Sequence, residues 1–360
     1  MSGLRERCTS FLSGHAPRSP AEDFAAMAIW CAEHSVVHDT YGEGGLIQAF
    51  ERKIADLLGF EAGVFVATGT LTQVTALRLA CAERGSDLVA MHPTAHILRH
   101  ERGNHQLLGH FKTLAIGDPF RCWTAEALAA VPDRLGAALY ELPMREIGGQ
   151  LPGWDELAGI KDLCAERGIH LHLDGARLWE AAAGYGRSPA EVASGFDSAY
   201  VSFYKGIGAL GGAMLLGSRD FVALAAEWFK RQGGNLYRRS PYLVSAAMQF
   251  DARLALMPAL LARTQWLYQE LSAHPLLRPN PAAPQVNMLH VYLPVDRERA
   301  LEIRDAIAQE HGVWLFGGAQ SGPLPEQSYF ECYVGDALLN LPDERVREIL
   351  AILSDALAEG

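Results

Sequence analysis

An α/β fold with a mostly parallel sheet, followed by a smaller α+β domain, is predicted by three features of the sequence. Seven short apolar runs recur between residues 62 and 216, amphipathic helical patterns separate several of them, and the pattern changes after about residue 255. Strands that are apolar throughout are buried on both faces, as in a parallel sheet covered by helices. Ligands of such sheets gather at the carboxyl ends of the strands.

The elements follow in order. The first 40 residues carry no strand signal and read as a helix and loop packed beside the small domain. From Glu43 to Gly59 the apolar positions Leu46, Ile47, Phe50, Ile54, Leu57 and Leu58 recur at helical spacing, and Gly59 stops the helix. Ala62 to Ala67 reads as a buried strand, and Thr70 to Glu83 as a helix carrying Val74, Leu77 and Ala80 on one face. Strands are expected at 87–91, 113–116, 136–141, 169–173, 198–203 and 212–216, with a helix from Trp154 to Arg167 ended by Gly168. Beyond 255 come a long helix, a Pro-rich connector at 279–285, a strand at 287–293, a helix, a strand near Phe330 to Val334 and a last helix. The expected division is 1–40, 41–255 and 256–360, with no internal repeat and no low-complexity segment.

Composition narrows the function. Hydrophobic residues make up 49% and charged residues 20%, values of a core-burying globular protein. Lys+Arg 31 against Asp+Glu 42 gives −11, which repels nucleic-acid backbones and anionic lipid. Cys8, Cys31, Cys81, Cys122, Cys164 and Cys332 form no CxxC pair and read as reduced thiols. MSGLRERCTS lacks a signal-peptide core, and no later window is long and apolar enough to span a membrane. A cytoplasmic location is expected.

Three segments carry chemistry. Asp174 falls at the carboxyl end of a buried strand in IHLHLDGARL, with Gly175 allowing a tight exit and Arg177 three residues on. Taken alone, it could equally cap the next helix. Lys205 follows an apolar strand inside a bend containing Gly206, Gly208, Gly211 and Gly212. Desolvation there lowers an amine's pKa and makes it imine-forming, although a surface lysine snorkelling from a turn is the bland alternative. In ATGTLTQVTAL a strand ends in Thr68-Gly69-Thr70 and opens a helix, whose starting N–H groups, helped by the Thr hydroxyls, can hold a phosphate. Any helix cap looks like this when isolated. Together, an acid for a ring nitrogen, a desolvated lysine and a phosphate cradle are the protein parts required by pyridoxal 5'-phosphate. His170 and His172 have no partner ligand at metal spacing and read as packing; no metal site is expected.

In order and spacing these segments resemble the fold-type I pyridoxal-phosphate enzymes, and more narrowly the threonine aldolase / β-eliminating lyase family, over roughly residues 36 to 255. The segment containing Tyr41-Gly42 is similar to that family's DxYG segment, which would put Tyr41 near the substrate. TAHILRHERGN resembles its HxxxxEAGG segment, which implies that the His96 ring stacks on the cofactor with Glu101 behind it. HLDGARL matches its hallmark, so Asp174 would hold the pyridinium nitrogen and Arg177 would contact the substrate carboxylate or cofactor edge. YKGIGALGG resembles its lysine segment, with Lys205 as the cofactor-linking residue. KRQGGNLYRRS resembles a stretch whose basic side chain, here Lys230 or Arg238, reaches a cofactor phosphate across a dimer interface.

The resemblance implies a pyridoxal-phosphate-dependent lyase, a low-specificity aldolase that cleaves a β-hydroxy-α-amino acid to glycine and an aldehyde, acting on a small-molecule substrate as a homodimer or homotetramer. Lys205, His96 and Asp174 would be catalytic. A β-eliminating lyase acting on a cysteine-like or aromatic amino acid, and a non-catalytic cofactor-binding protein, use the same parts and remain alternatives. The chain departs from threonine aldolases at 140–152, where a LENTHNG-like segment would supply a histidine and this chain has Arg145 and Glu146. A second departure is Glu331, where the family has a carboxylate-binding arginine. Ser13 and His15 fall where the family's N-terminal segment enters the site, and complete the expected substrate set.

Overall fold

The structure, a computed structural model, describes residues 2–359 and contains two compact units. The larger comprises Ser19–Glu146 and Leu151–Ala255; the smaller gathers the chain up to Arg18, Ile147–Gln150 and the chain from Leu256 onward.

The larger unit is built on seven strands: β1 (Ala62–Val66), β2 (Leu88–Met91), β3 (Lys112–Ala115), β4 (Ala137–Glu141), β5 (His170–Gly175), β6 (Ser198–Ser202) and β7 (Ala213–Gly217). Their spatial order is β1-β7-β6-β5-β4-β2-β3. Only β7 runs antiparallel to its neighbours, so this is the mostly parallel α/β sheet expected from the sequence. Every residue of β4, β5, β6 and β7 is buried, the reason β4, β6 and β7 read as largely apolar runs; β5 alternates His170 and His172 with Leu171 and Leu173, all of them buried. The Gly45–Leu58 helix buries Ile47, Phe50, Ile54 and Leu58 and stops where Gly59 turns left-handed at φ 76°. The Gly69–Arg84 helix buries Gln73, Val74, Leu77 and Ala80. His170 and His172 of β5 join this packing through hydrogen bonds, both to Ser198 Oγ and His172 also to Gln73 Oε1, each at 2.7 Å. Burial pushes His172 down to about 3, so its ring is neutral.

The smaller unit has an antiparallel sheet in the order Gln320–Ser321, Ser328–Tyr333, Met288–Leu293, Arg278–Asn280. The Arg297–His311 and Asp343–Ala358 helices contribute Ile303, Ile307, Val346 and Leu353 to a core shared with Val291 and Phe330.

Three elements differ from the sequence reading. Ser10–Phe11 forms a short strand, parallel to Val313–Trp314, too brief to leave a pattern. Arg278–Asn280 pairs with the 290–292 stretch inside the expected Pro-rich connector; its prolines are tolerated because it is an edge strand. The long helix begins at Ser240, well before 255. Asp39 starts it there: the carboxylate accepts from the N–H of Arg239 and Ser240, both at 2.9 Å, and from Ser240 Oγ at 2.6 Å. A cap delivered from two hundred residues upstream is invisible to a local pattern.

Candidate active site

The carboxyl ends of β4, β5 and β6 converge on a cluster of ionisable groups. Asp174 is the fifth residue of β5, in register with Glu141 of β4 on one side and Tyr200 of β6 on the other. Its carboxylate is buried and Oδ1 accepts from the Ala176 N–H at 3.2 Å. Burial pushes the Asp174 carboxyl up, against the pull of Lys205 and His96. Glu141 is buried too; desolvation and the neighbouring Asp174 charge push it up to about 7, while its Oε1 accepts from the Arg145 N–H at 3.1 Å.

Lys205 lies just past β6 in a bend closed by its own backbone. The Gly208 N–H donates to the Lys205 carbonyl at 3.0 Å, and Ala209 donates to Phe203 at 2.8 Å. Gly206 is required here because a Cβ would collide with the buried Glu180 carboxylate. Burial, then the Arg177 charge, lowers Lys205 to about 8, with Arg145 acting in the same direction and Asp174 and Glu141 opposing. The amine is therefore poised near its free base in a site of mixed charge.

Two further elements frame these groups. The short His96–His100 helix presents His96, whose Nδ1 is 3.0 Å from Glu101 Oε1; that bond raises the imidazole above its usual value, against desolvation. Glu101 is in turn fixed by Asn104 Nδ2 at 2.9 Å. The Gly69–Arg84 helix starts without a side-chain cap, leaving its first N–H groups for another acceptor. Tyr200 fills the space where a Gly69 Cβ would be, and its hydroxyl lies 3.0 Å from that of Tyr204.

Lys205, Asp174, His96, Arg177 and Arg145 are thus brought within electrostatic reach of one another, with Gly69 joined to them through Tyr200. Thr70 is exposed on the first turn of its helix. Gly234 packs on Leu71, so the 230–239 segment passes close to that helix start. Within it, Lys230 pairs with Glu227 at 2.9 Å, and Arg238 donates to the Asp39 carbonyl and to Thr40 Oγ1 while stacking on Tyr237. The neighbouring Arg239 is a buried structural cation, donating to the Phe65 carbonyl at 2.6 Å and to Asn235 at 2.9 Å. Tyr41, at φ 52°, donates its N–H to the Tyr237 carbonyl at 3.0 Å, and the two rings meet edge to face.

Ser13, His15 and Glu331 belong to the smaller unit. Ser13 Oγ accepts from the Tyr333 N–H at 3.1 Å, His15 faces Asp336 at 3.4 Å, and Glu331 is in register with His290. Sequence reasoning missed Glu141, Glu180 and Tyr200. Their signal was weak: Glu141 ends a buried strand, Glu180 lies in the first turn of the Leu178–Tyr185 helix and Tyr200 sits in the middle of β6, where capping or packing is the ordinary explanation.

A pyridoxal phosphate fits the residues present: a buried carboxylate for a pyridinium N–H, a desolvated amine, an uncapped helix start for a phosphate and a half-exposed imidazole face.

Comparison with known proteins points to the same cofactor class. Residues 20–293 match the family described as beta-eliminating lyase. The chain is 32% identical over 216 residues to the low specificity L-threonine aldolase of Escherichia coli O157:H7, covering 58% of this chain and 64% of that protein. It is 30% identical over 256 residues to the Saccharomyces cerevisiae low specificity L-threonine aldolase, covering 68% of this chain and 62% of that one. The match thus spans a little under two thirds of both relatives. A solved Listeria monocytogenes EGD-E structure, assigned as an L-allo-threonine aldolase, superposes with a TM-score of 0.92 at 34% identity over 98% of both chains. Sphingomonas wittichii serine palmitoyltransferase shares the fold, with a TM-score of 0.67 at 17% identity over 94% of this chain and 83% of that one.

Proposed function

This chain belongs to the beta-eliminating lyase family, whose cofactor is pyridoxal phosphate, and on that premise we propose that it is an aldolase cleaving a threonine- or allo-threonine-like β-hydroxy-α-amino acid to glycine and an aldehyde. The observation that carries the reading is the mutual perturbation of Asp174 at the end of β5, Lys205 just past β6 and His96 on the short helix that follows β2.

When bound, pyridoxal phosphate supplies an electron sink for the pair left at Cα. Asp174, flanked by the Lys205 and His96 charges, is suited to hold a proton on a ring nitrogen. Glu141 is the member of the carboxyl pair suited to keep its own proton, which lets Asp174 stay anionic. Lys205 Nζ, at about 8, can release and regain a proton near neutral pH. The N–H groups of Gly69 and Thr70, with the Thr70 hydroxyl, would orient a phosphate, and His96 would cover one ring face. Arg177 and Arg145 supply the positive charge that a substrate carboxylate requires.

We further propose a homo-oligomer, with Lys230 or Arg238 reaching a phosphate of the neighbouring subunit. The Pro20–Glu33 helix supports this. It is opened by a capping box between Ser19 and Glu22, carries Phe24, Met27, Ile29 and Trp30, and buries none of them. A cytoplasmic setting is supported by six free cysteines. Among the described residues no helix is long and apolar enough to cross a membrane.

The test is to reconstitute the chain with pyridoxal phosphate, record its visible band, and offer L-allo-threonine, phenylserine and cysteine. Glycine and aldehyde release, with the band abolished in Lys205→Ala, is expected. Pyruvate without glycine would establish β-elimination instead, and an intact band with no turnover would leave a binding protein.

A further inference from the structure

The retro-aldol reading requires a base for the substrate's β-hydroxyl, and the 140–152 segment contains no histidine. Resting on that reading, we propose that His100, held by Glu146, is the group that accepts the β-hydroxyl proton.

His96 and His100 are four residues apart on one short helix and therefore share a face. Their ring centroids are 5.1 Å apart at an interplanar angle of 40°. His96 is committed to Glu101 and to the Asp174–Lys205 cluster, whereas His100 turns to the segment that departs from the family pattern. His100 Nε2 lies 2.9 Å from Glu146 Oε1, and Arg145 Nη1 reaches the same oxygen at 3.1 Å. Arg145 Nη1 is also 3.5 Å from His100 Nε2. A carboxylate oxygen only accepts and a guanidinium only donates. The shorter contact to Glu146 thus places the hydrogen on Nε2 and leaves the lone pair on Nδ1.

Arg145 connects this trio to the cluster, because its charge acts on Lys205 and its N–H is bonded to Glu141. The His100 side chain is 41% exposed, so a substrate entering from solvent can meet it, while Glu146 at 22% is more enclosed. An isolated surface histidine would have neither an oriented tautomer nor a carboxylate tied down by an arginine. Glu146 acts as a positioning residue that fixes which ring nitrogen is free.

The step balances within the proposed reaction. The hydroxyl O–H bond breaks as its proton moves to His100 Nδ1, and the oxygen pair closes the aldehyde C=O. The Cα–Cβ bond breaks with its electron pair left on Cα, where a proton, available from Lys205, completes glycine.

Two measurements on holoenzyme test the proposal: aldehyde release from L-allo-threonine, and exchange of a glycine α-proton with D2O followed by NMR. Exchange needs the cofactor and an α-base but no β-hydroxyl group. His100→Gln is expected to lower kcat for cleavage by about 10²- to 10³-fold, leaving exchange within about twofold of the parent chain. Glu146→Gln is expected to lower cleavage about tenfold with exchange again unchanged. Cleavage by His100→Gln within about threefold of the parent overturns the proposal, as does a parallel fall in both rates. If the parent chain exchanges glycine but cleaves no β-hydroxy amino acid, the retro-aldol reading falls and takes this proposal with it.

Discussion

Glu141 and Asp174 are register partners on adjacent parallel strands, and both carboxyls are buried at the same end of the sheet. Two desolvated carboxylates side by side cannot both ionise at ordinary cost, so the pair retains a proton into the neutral range. Lys205 and His96 act on both carboxyls, and the Asp174 charge is among the causes that raise Glu141, which makes Asp174 the ionised member.

This pairing makes the cofactor-free chain less stable as pH rises. Glu141 is raised from 4.5 to about 7 by burial first and by Asp174 second. Between those values the folded chain keeps a proton that the unfolded chain releases, so stability falls across the window and stays lower above it. At about 1.4 kcal/mol per pH unit the loss is at most about 3 kcal/mol, reduced by the opposing charge of Lys205. Glu141→Gln preserves the acceptor for the Arg145 N–H and cannot ionise. In denaturant unfolding it should match the parent chain near pH 5 and exceed it near pH 8 by about 1–3 kcal/mol. A stability difference independent of pH would refute the shared-proton account.

Lys205 offers a second titration with an internal control. Its value of about 8 owes most to burial and next to the Arg177 charge. Arg177→Met should therefore shift Lys205 upward, making the amine less available at neutral pH. Lys161 is also lowered to about 8, but by burial alone, and donates to the Val192 carbonyl at 3.0 Å. Competitive acetylation at a series of pH values, read by mass spectrometry, should give matching curves for both lysines in the parent chain. Only Lys205 should move in the variant, and a common shift of the two would dissolve the assigned cause.

Lys205 and Asp174 were legible in the sequence because each ends an apolar run, and a charged residue beside glycine at a strand's carboxyl end is a local pattern. β4, β6 and β7 were legible for the same reason, since complete burial leaves a largely apolar signature, whereas β1, β2 and β3 are only partly buried and showed as short apolar stretches. Glu141 was not legible as part of the site, since its significance comes from strand register with Asp174, a pairing set by topology. His100 carried a hint in its four-residue spacing from His96, but its partner Glu146 lies forty-six positions along the chain. Asp39 capping Ser240, and Ser10–Phe11 meeting Val313–Trp314, are long-range in the same sense. What escaped the sequence was the set of contacts made by closure of the fold.

Gly69 connects that closure to cofactor binding. It opens the uncapped helix, and the Tyr200 ring occupies the place of its missing Cβ; Tyr200 is in turn the register neighbour of Asp174. An alanine at 69 must displace either the helix start or Tyr200, and these flank the two ends of the proposed cofactor, phosphate and ring nitrogen. Tyr200 is buried and tied to the Tyr204 hydroxyl, so the strain has no easy exit. Overpacking of this kind typically costs about 1–3 kcal/mol. Gly45 is the matched control: it also starts a helix, but a Cβ there meets nothing within 4 Å, and alanine should be neutral or slightly stabilising. We expect Gly69→Ala to unfold earlier in denaturant and to bind pyridoxal phosphate at least about tenfold more weakly by fluorescence titration of the cofactor-free chain, with Gly45→Ala unchanged in affinity. Unaltered cofactor affinity in a folded Gly69→Ala chain would mean that the phosphate is held somewhere other than the start of this helix.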